Sequence, residues 1–552
     1  MNRWSEKKQK NRIKTQFGKN PMDMETWESL QLRMHEIEMY EQRRRKDSNQ
    51  EWVDDVTWND LEMDRVFARI NHTRTYMGEQ ILYHRLHGRK NRQELQRMEK
   101  RIAFFSCQES SRIKVEEKLS HIGKQKENYY LPLFLMDEIN WPVTSCIGLY
   151  LQQVLLVICL AGTVLTRSNV WAIGLLVVAT VNLLIYLHAK NKYEGNLFAV
   201  ANMKVALDFC NWMIKCFEGN QLYADEEILQ ALEKTRKLAK QMGRWQARKY
   251  QSVTGDLGGI VQDYLAGITL YDIVAFCHIE KALRKCRKET LQLYEFVGDV
   301  DTDIAIASFR KSLTNWCSPM IQKFGFISLE EICHPLMDDG VANSMELRKG
   351  AIFTGANASG KSTFMKAVAI NVILAQAIHT CVAKNVKMPT IKVMTSMALR
   401  DDVVQKESYY MREMKYLKRM LDEIEKGEPV LFVIDEILKG TNTRERLGAS
   451  KAILSYMAQK PGFLLVATHD LELVKAEENL YDTYYFDSQI CGKDIIFPYK
   501  MKQGIAVRTN AIDLMEIMDF PKEITEKARK CIYENWRSSG TDRIKYQQYP
   551  VL

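Results

Sequence analysis

The segment TGANASGKSTF, from Thr354 to Phe364, predicts a loop that holds the phosphates of a nucleotide. It satisfies the pattern G-x-x-x-x-G-K-[ST], follows the apolar strand AIFT, and opens a helix at Thr363. Backbone N–H groups of such a loop curl round phosphates, and the helix N-terminus adds positive potential. We therefore predict that ATP binds here. The residues predicted to surround it are Gly355, Ala356, Asn357, Ala358, Ser359, Gly360, Lys361, Ser362 and Thr363.

Two later apolar strands end in residues that suit ATP hydrolysis. The strand PVLFVIDE ends in Asp435 and Glu436, and FLLVATHD brings His469 to the end of another strand. Ser362 and Asp435 are predicted to hold Mg²⁺, and Glu436 to orient or deprotonate the attacking water. Lys361 would reach the β and γ phosphate oxygens, and His469 the γ-phosphate or the water. The alternatives are a solvated acid pair and a histidine with only a structural hydrogen bond.

The rest of the chain is predicted to be mainly helical. Upstream of Phe324, apolar residues recur at intervals of three and four residues, as in helices. Downstream of it, predicted strands alternate with predicted helices. The predicted fold class is α plus α/β, with a long-helix core or lever domain, an apolar helical hairpin within it, and an ABC-type P-loop ATPase domain. The predicted segments are 1–57 (basic N-terminal segment), 58–144 (lever, first part), 145–189 (hairpin), 190–323 (lever, second part), 324–535 (ATPase) and 536–552 (tail).

The hairpin is predicted from two uncharged runs, 146–166 and 170–187, separated by Arg167 and two polar residues. Each run is long enough to span the hydrocarbon core of a bilayer. Lysines lie before and after the pair, which places both flanks in the cytoplasm. Gln152, Gln153 and Asn182 favour the alternative, a buried hairpin of a large helical domain. The predicted localisation is therefore the cell membrane, with the other domains on the cytoplasmic side; the alternative is cytoplasmic.

Composition narrows the class of protein only a little. The net charge of +9 is too mild to establish nucleic acid or anionic lipid as a partner. The 12 cysteines contain no C-x-x-C pair, so neither a disulfide framework nor a zinc site is indicated. The basic N-terminal run lacks an apolar region behind it, and a solvated, frayed segment without a secretory signal is expected there.

The ATPase motifs resemble those of the MutS family, the DNA mismatch-repair clamps. The segment DEILKGTNTRERLGAS, from Asp435, resembles the family's D-E-[IL]-x-x-G-T-[SN]-T, and ATHDLEL resembles A-T-H-x-x-E-L. HPLM resembles the HP motif, which implies that His334 and Pro335 lie close to the nucleotide. DDVVQKESYYMREM, from Asp401, resembles a segment that reaches a partner's nucleotide through a serine, which implies that role for Ser408 in a homodimer with composite ATP sites.

The resemblance extends upstream of the ATPase segment. TRTYMGEQILYHRLHGRKNRQELQRMEKRI, from Thr73, resembles the family's core segment T-x-x-G-x-x-L-L, and a second segment, from Leu293 to Leu313, resembles the later core segment. Two departures limit what is carried over. The chain contains no Phe-x-Glu, the family's mismatch-reading wedge, and the apolar hairpin occupies the position of the DNA-clamping helices. The first departure argues against base-specific mismatch reading. The second suggests that the far end of the lever helices lies in a membrane instead of on a duplex.

Two functions remain compatible with the sequence. The leading one is a MutS-like ATPase, related to mismatch repair, that binds mismatched or structured DNA without sequence specificity and closes a dimeric clamp with ATP. The alternative is a membrane-anchored mechanical ATPase that acts on a membrane partner without DNA. An ABC transporter subunit fits less well, because the signature L-S-G-G-Q is absent.

Overall fold

The structure is a computed structural model that describes residues 3–47, 52–136, 146–217, 226–252, 264–356, 358–397, 409–438, 441–491, 494–505 and 511–538. The chain divides into two compact units. Unit 1 comprises Met1–Trp52, Asp64–Thr314 and Gln376–His379. Unit 2 comprises Val53–Met63, Asn315–Ala375 and Thr380–Leu552. A mixed helical and α/β architecture is expected from the sequence, and the division into a helical unit and a sheet-containing unit agrees with it.

Helices dominate the chain. In order they are α1 (Arg3–Gln16), α2 (Trp27–Asp47), α3 (Asp55–Asp60), α4 (Met63–Ile70), α5 (Tyr76–His87), α6 (Arg92–Cys107), α7 (Glu109–Ile122), α8 (Leu131–Met136), α9 (Cys146–Thr166), α10 (Asn169–Cys216), α11 (Glu226–Ser252), α12 (Tyr271–Lys285), α13 (Arg287–Ser312), α14 (Lys361–Ile378), α15 (Tyr409–Glu425), α16 (Thr443–Ala458), α17 (Leu471–Glu477), α18 (Ala511–Ile517) and α19 (Lys522–Ser538). Short 3-10 turns lie at Pro21–Asp23 and Lys126–Tyr130.

Unit 1 is built around α13, which packs closely against α5. The buried carboxylate of Asp301 in α13 accepts hydrogen bonds from the backbone N–H of Thr75 (2.8 Å) and from its hydroxyl (2.7 Å). Thr75 is also the N-cap of α5, where its hydroxyl accepts from the N–H of Gly78. A side chain at Gly78 would collide with Asp301, so glycine is required for this close approach. The T-x-x-G pattern in the sequence is thus the start of α5.

The basic N-terminal run forms helix α1, and its side chains Lys7, Lys8, Lys10, Arg12 and Lys14 are exposed, as expected from their charge. Ile13, Phe17 and Tyr40 are buried on α1, just after it, and on α2. Arg33 of α2 donates a hydrogen bond to the fully buried carboxylate of Glu79 at 2.8 Å. Burial alone would raise the pKa of Glu79, but Lys124 and Arg33 outweigh burial and lower it to about 2. Arg33 looks like a solvated charge in the sequence, and its pairing with Glu79 becomes visible only in the structure.

The apolar hairpin consists of α9 and the first part of α10, and α10 continues well past the predicted end of the hairpin. The segments Ile147–Thr166 and Asn169–Ala189 are long and apolar enough to cross a membrane, by length and composition. Only 11% and 17% of their most apolar windows are buried. Leu165, for example, is 82% exposed and Val170 is 76% exposed. A hairpin in the core of a soluble domain would bury these side chains.

Unit 2 contains the predicted α/β domain. Its strands are β1 (Met320–Gln322), β2 (Ile327–Ile332), β3 (Asn343–Leu347), β4 (Gly350–Gly355), β5 (Asn385–Pro389), β6 (Lys392–Ser396), β7 (Val430–Asp435), β8 (Phe463–Ala467), β9 (Asp482–Phe486), β10 (Gln489–Cys491), β11 (Asp494–Ile496) and β12 (Met501–Gln503). The main sheet has the order β12-β9-β4-β8-β7-β6. Its strands are parallel except β12, which pairs antiparallel with β9.

A second sheet, β1-β5-β2-β3, was not predicted. Its strands β1, β2 and β3 precede the phosphate loop in the chain, and β5 follows it. Its strands are short, and β2 shows a register shift between Leu329 and Ile332 opposite β3. The main sheet buries continuous apolar strands, such as β8, whose residues are all buried. The strands of the main sheet were recognisable in the sequence as continuous apolar runs, because a strand covered on both faces has no polar positions.

Candidate nucleotide-binding site

Three strands of the main sheet end at one edge and carry the candidate site. Strand β8 lies between β4 and β7 and pairs parallel with both. The loop after β4 contains the phosphate-loop residues, β7 ends at Asp435, and β8 is followed by His469. Ligands gather outside the carboxyl ends of strands in open α/β sheets. Residues far apart along the chain therefore meet here, because β4 and β7 flank the same strand.

The phosphate loop has a backbone that only small residues accommodate. Gly355 has φ of 135°, Ala358 of 62° and Gly360 of 103°. A Cβ atom at Gly355 would lie 2.5 Å from the carbonyl oxygen of Phe486 in β9, and one at Gly360 would lie 3.0 Å from the ring of Tyr499. The loop is thus pressed against β9 on one side and an aromatic ring on the other. Asn357, a further predicted phosphate-loop residue, lies outside the described residues.

Lys361 begins α14 and folds back over the loop. Its Nζ donates to the backbone carbonyl oxygens of Gly355 (2.8 Å) and Ala356 (2.9 Å), and the residue is 6% exposed. The neighbouring Ser359 hydroxyl is buried and has no hydrogen-bond partner within the described part of the chain. A buried cation beside an unsatisfied hydroxyl at a helix N-terminus suits an anionic ligand, because phosphate oxygens accept from both groups.

Ser362 and Asp435 meet across the sheet edge. The Ser362 hydroxyl donates a hydrogen bond to Asp435 Oδ2 at 2.7 Å. Both offer the hard oxygen atoms that Mg²⁺ prefers, and Mg²⁺ in phosphate sites commonly takes only one or two protein ligands beside phosphates and water. No cluster of three or more His, Cys, Asp or Glu side chains suited to a metal occurs among the described residues. The pair fits the predicted metal role.

Glu436 and His469 lie together next to this pair. Glu436 has the uncommon φ of 64°, and its backbone N–H donates to the carbonyl oxygen of Ala467 at the end of β8. His469 Nε2 is 3.3 Å from Glu436 Oε1. The left-handed backbone turns the glutamate out of the strand direction, and strain of this kind collects at functional sites. The two residues predicted to act on the attacking water are therefore in direct contact.

The site opens into a cavity of about 470 Å³. This volume falls in the range of ligand pockets, about 300–1,000 Å³. Among the predicted residues that line it are Ala358, Ser359, Gly360, Lys361, Ser362, Thr363, His334, Asp435, Glu436 and His469. Pro335 is buried beside His334 but does not line the cavity. Burial, followed by the charge of Lys366, lowers the pKa of His334 to about 4, so this imidazole is neutral at neutral pH.

Tyr499 belongs to the site but was not predicted from the sequence, and neither were the residues that hold it. Tyr499 lines the cavity, and its backbone carbonyl accepts a hydrogen bond from Asn343 Nδ2 at 2.9 Å. Asn343 Oδ1 in turn accepts from the N–H of Met501 at 2.8 Å. The aromatic ring at the mouth suits an apolar or aromatic part of a ligand. Because this contact joins residues 156 positions apart, no local pattern indicated it.

Other predicted residues fall at the margin of the site or outside the description. Ser408 lies outside the described residues, so the structure does not describe the contact inferred across a dimer. Asn442 caps α16 by accepting from the N–H of Glu445 at 3.0 Å. Arg446 forms a two-pronged ion pair with Asp470, at 2.8 and 3.0 Å. This pair fixes the residue that follows His469, and the motifs alone did not indicate it.

Comparison with known proteins agrees with the resemblance seen in the motifs. Residues 351–534 match the family model of MutS domain V. The chain is 27% identical over 278 residues to the DNA mismatch repair protein MutS of Aquifex pyrophilus, covering 47% of this chain and 32% of that protein. It is 24% identical over 291 residues to the same-named protein of Thermotoga petrophila, covering 50% and 36%. It is 29% identical over 238 residues to human MutS protein homolog 4, covering 39% and 25%.

The chain is therefore similar to MutS proteins at modest identity. The aligned region spans about a third of the length of the bacterial relatives, from 32% to 36%, and a quarter of the human one. The family match covers the phosphate loop, Asp435, Glu436 and His469, and it begins after His334 and Asn343.

Substitution of Gly355 tests the geometry of the phosphate loop. We expect Gly355→Ala to weaken binding of a fluorescent ATP analogue about tenfold or more, because the methyl group meets the Phe486 carbonyl and the backbone strain is worth roughly 1–3 kcal/mol. Gly448→Ala is the matched control, since a Cβ there meets nothing within 4 Å. Fluorescence titration measures both. Wild-type affinity in Gly355→Ala would contradict the described loop geometry.

Proposed function

We propose that the chain is a Mg²⁺-dependent ATPase of the MutS type that hydrolyses ATP to ADP and phosphate. The observation that carries this proposal is the hydrogen bond between Ser362 and Asp435 directly beside the Glu436–His469 contact. A phosphate loop alone would support nucleotide binding only. The addition of a carboxylate and a histidine at neighbouring strand ends supports hydrolysis, because water must be oriented against a phosphoryl group held in place.

Each residue has a distinct role in this reaction. Lys361 would exchange its contacts with the loop carbonyls for phosphate oxygens. Ser362 and Asp435 would hold Mg²⁺, which when bound would supply positive charge beside the phosphates. Glu436 accepts a hydrogen bond from the attacking water or takes its proton, and His469 lies close enough to orient the same water or a γ-phosphate oxygen. The ion pair of Arg446 with Asp470 holds the backbone next to His469 in position.

DNA is the partner that the relatives' names favour for this ATPase. We propose phosphate-directed binding of mismatched or branched DNA by a homodimer that ATP closes. Exposed cations on α11 suit this role, because Arg236, Lys237, Lys240 and Arg244 project from it while Leu238, Met242 and Trp245 are buried. A helix with one basic face and one buried face can follow a phosphate backbone without reading bases.

Membrane anchoring is a second candidate, and the exposure of the apolar hairpin favours it. Water-exposed apolar surface of this length is costly, and a bilayer removes the cost. Threonines in the hairpin donate their hydroxyls to carbonyls of their own helix, as Thr163 does to Cys159 O at 2.8 Å and Thr180 to Leu176 O at 2.8 Å. Gly162 packs against the ring of Trp171, a small-residue contact typical of membrane helices.

Replacement of the proposed base tests the ATPase. Glu436→Gln keeps the shape of the side chain but cannot take a proton, so we expect turnover to fall about 10²- to 10⁴-fold with binding retained. Lys361→Ala should instead lose nucleotide binding. The control is Glu478→Gln, an exposed glutamate of unit 2. Phosphate release and fluorescent-ATP titration distinguish these cases, and normal turnover in Glu436→Gln would remove Glu436 from the mechanism.

Salt dependence tests the DNA proposal. If phosphates are neutralised, log affinity should fall by about 0.9 for each unit of log salt and each duplex phosphate contacted. Replacing Arg236, Lys237, Lys240 and Arg244 with Gln should flatten this slope. Lys451→Gln, an exposed lysine of unit 2, should leave it unchanged. Fluorescence anisotropy with homoduplex, mismatched and branched DNA measures the slopes. A DNA affinity of the wild type that does not change with salt concentration would exclude binding through phosphates.

Carbonate extraction tests the anchor. We expect the protein expressed in cells to remain with the membrane pellet at high pH. A lysine at the centre of a spanning helix costs about 2.5–3.5 kcal/mol on insertion scales, so Leu160→Lys in α9 should increase the released fraction. Leu229→Lys in α11 is the matched control, since the two leucines are 52% and 45% exposed. Full release of the wild type would contradict anchoring.

A further inference from the structure

The helical run that precedes α12 is broken beside the apolar hairpin. Residues 264–268 are helical, Leu270 takes the left-handed φ of 52°, and α12 starts at Tyr271. The backbone carbonyls of Ile268 and Thr269 at this break accept side-chain hydrogen bonds from the hairpin. Asn182 Nδ2 donates to Ile268 O, and Gln153 Nε2 donates to Thr269 O, each at 2.8 Å. Two polar residues of the hairpin thus satisfy two successive carbonyls of the broken helix.

The broken segment also packs tightly on the hairpin. A Cβ atom at Gly267 would lie 2.9 Å from the ring of Tyr186 and 3.2 Å from Leu183, so only glycine allows this approach. Leu270 is fully buried in a small apolar cluster with Leu149, Tyr186 and Cys277. The break is therefore a built contact with both hairpin helices, because Leu149 and Gln153 belong to α9 and Tyr186 and Asn182 to α10.

The contact lies deep along the hairpin. Gln153 is between three and four residues from the middle of Ile147–Thr166, and Asn182 is three residues from the middle of Asn169–Ala189. At a rise of 1.5 Å per residue, both lie roughly 5 Å from the midpoint, on the side of the chain flanks. The hydrocarbon half-thickness is about 15 Å. If the hairpin spans a bilayer, the break lies well inside its flank-side half.

Such a depth explains why an apolar hairpin carries Asn182 and Gln153. Irregular backbone within a bilayer is tolerated only where protein groups satisfy it, because no water is there to do so. Asn182 is completely buried and its donor atom serves the break. Two of the three residues that favoured a soluble core in the sequence, Gln153 and Asn182, are in the structure the partners of this helix break.

The outer face of the segment remains apolar. Tyr264 is 58% exposed, Leu265 is 55% exposed and Tyr271 is 47% exposed. This face continues the exposed surface of the hairpin, since the segment packs directly on it. Tyr150 of α9 and His278 of α12, whose Tyr150 Oη and His278 Nε2 lie 2.6 Å apart, form a polar contact nearer the flank.

We propose that residues 264–277 are a re-entrant third membrane element, which enters the flank-side leaflet beside the hairpin, turns at Thr269 and Leu270, and contacts lipid through Leu265. This proposal rests on membrane anchoring by the hairpin. It makes the membrane-embedded part a three-element bundle whose third element continues through α12 directly to α13, the central helix of unit 1.

Photo-cross-linking to lipid tests the proposal in the full chain. A photo-reactive amino acid replaces Leu160 in the hairpin, Leu265 in the segment or Leu229 in α11, which are 52%, 55% and 45% exposed. Each protein is reconstituted in vesicles of phosphatidylethanolamine and phosphatidylglycerol that carry a clickable phospholipid. After illumination, a gel resolves lipid adducts from adducts between chains. We expect lipid adducts at positions 160 and 265 and none at 229.

The outcomes separate the proposal from its premise. Adducts at 160 without adducts at 265 overturn the re-entrant element and leave the anchor intact. The absence of lipid adducts at position 160 contradicts membrane anchoring by the hairpin, and the proposal with it. An adduct between chains at 265 identifies a second copy as the occupant of this face and overturns lipid contact. Equal lipid labelling at 229 shows non-specific collision and also counts against the proposal.

A hydrogen-bond variant adds a readout that ordinary misfolding would not give. Asn182→Val removes the donor to Ile268 but keeps the hairpin apolar, so we expect loss of the lipid adduct at 265 and retention of that at 160. Thr180→Val is the matched control, because the Thr180 hydroxyl bonds its own helix. An unchanged adduct at 265 in Asn182→Val would show that this hydrogen bond does not hold the segment.

Discussion

Parallel strands that end at one edge of a sheet are the constraint on which the candidate site depends. Because β8 pairs with both β4 and β7, the phosphate loop, Asp435 and His469 are held next to one another. The hydrogen bond between Ser362 and Asp435 spans this arrangement. Each side chain alone has an ordinary structural explanation. Their convergence on one cavity is what favours phosphoryl chemistry, since hydrolysis needs a phosphate clamp, a metal site and a positioned water together.

In the helical unit, polar side chains make specific hydrogen bonds in two different surroundings. Around Glu79 and Asp301, buried carboxylates are surrounded by donors, which fixes how α5 lies against α13 and α2. In the hairpin, side-chain amides serve backbone carbonyls at a helix break. In both places a polar side chain in apolar surroundings makes a specific hydrogen bond. The hairpin differs in that its outer surface stays apolar, which favours lipid as its surroundings.

Much of the site was readable from the sequence because its signals are local. The loop from Gly355 to Ser362 needs small residues and a lysine at fixed spacing, and an acid pair after an apolar strand is recognisable by itself. Tyr499 was not readable, since Asn343 holds it from 156 positions away. The enclosure of Arg33 in α2 was not readable for the same reason, because its charge is paired with Glu79, which lies 46 positions away.

The sequence by itself determined which residue types this protein has available: a phosphate-loop motif, an acid pair and a histidine after apolar strands, and an apolar hairpin long enough to span a membrane. These properties depend on residue type and short-range spacing, which the chain carries directly. Only the tertiary structure decided which distant residues meet. The order of strands brings Glu436 to His469, and the packing of a helix break against the hairpin assigns partners to Asn182 and Gln153. The physical reason is that hydrogen bonds and burial act over a few ångströms in space, whatever the separation along the chain.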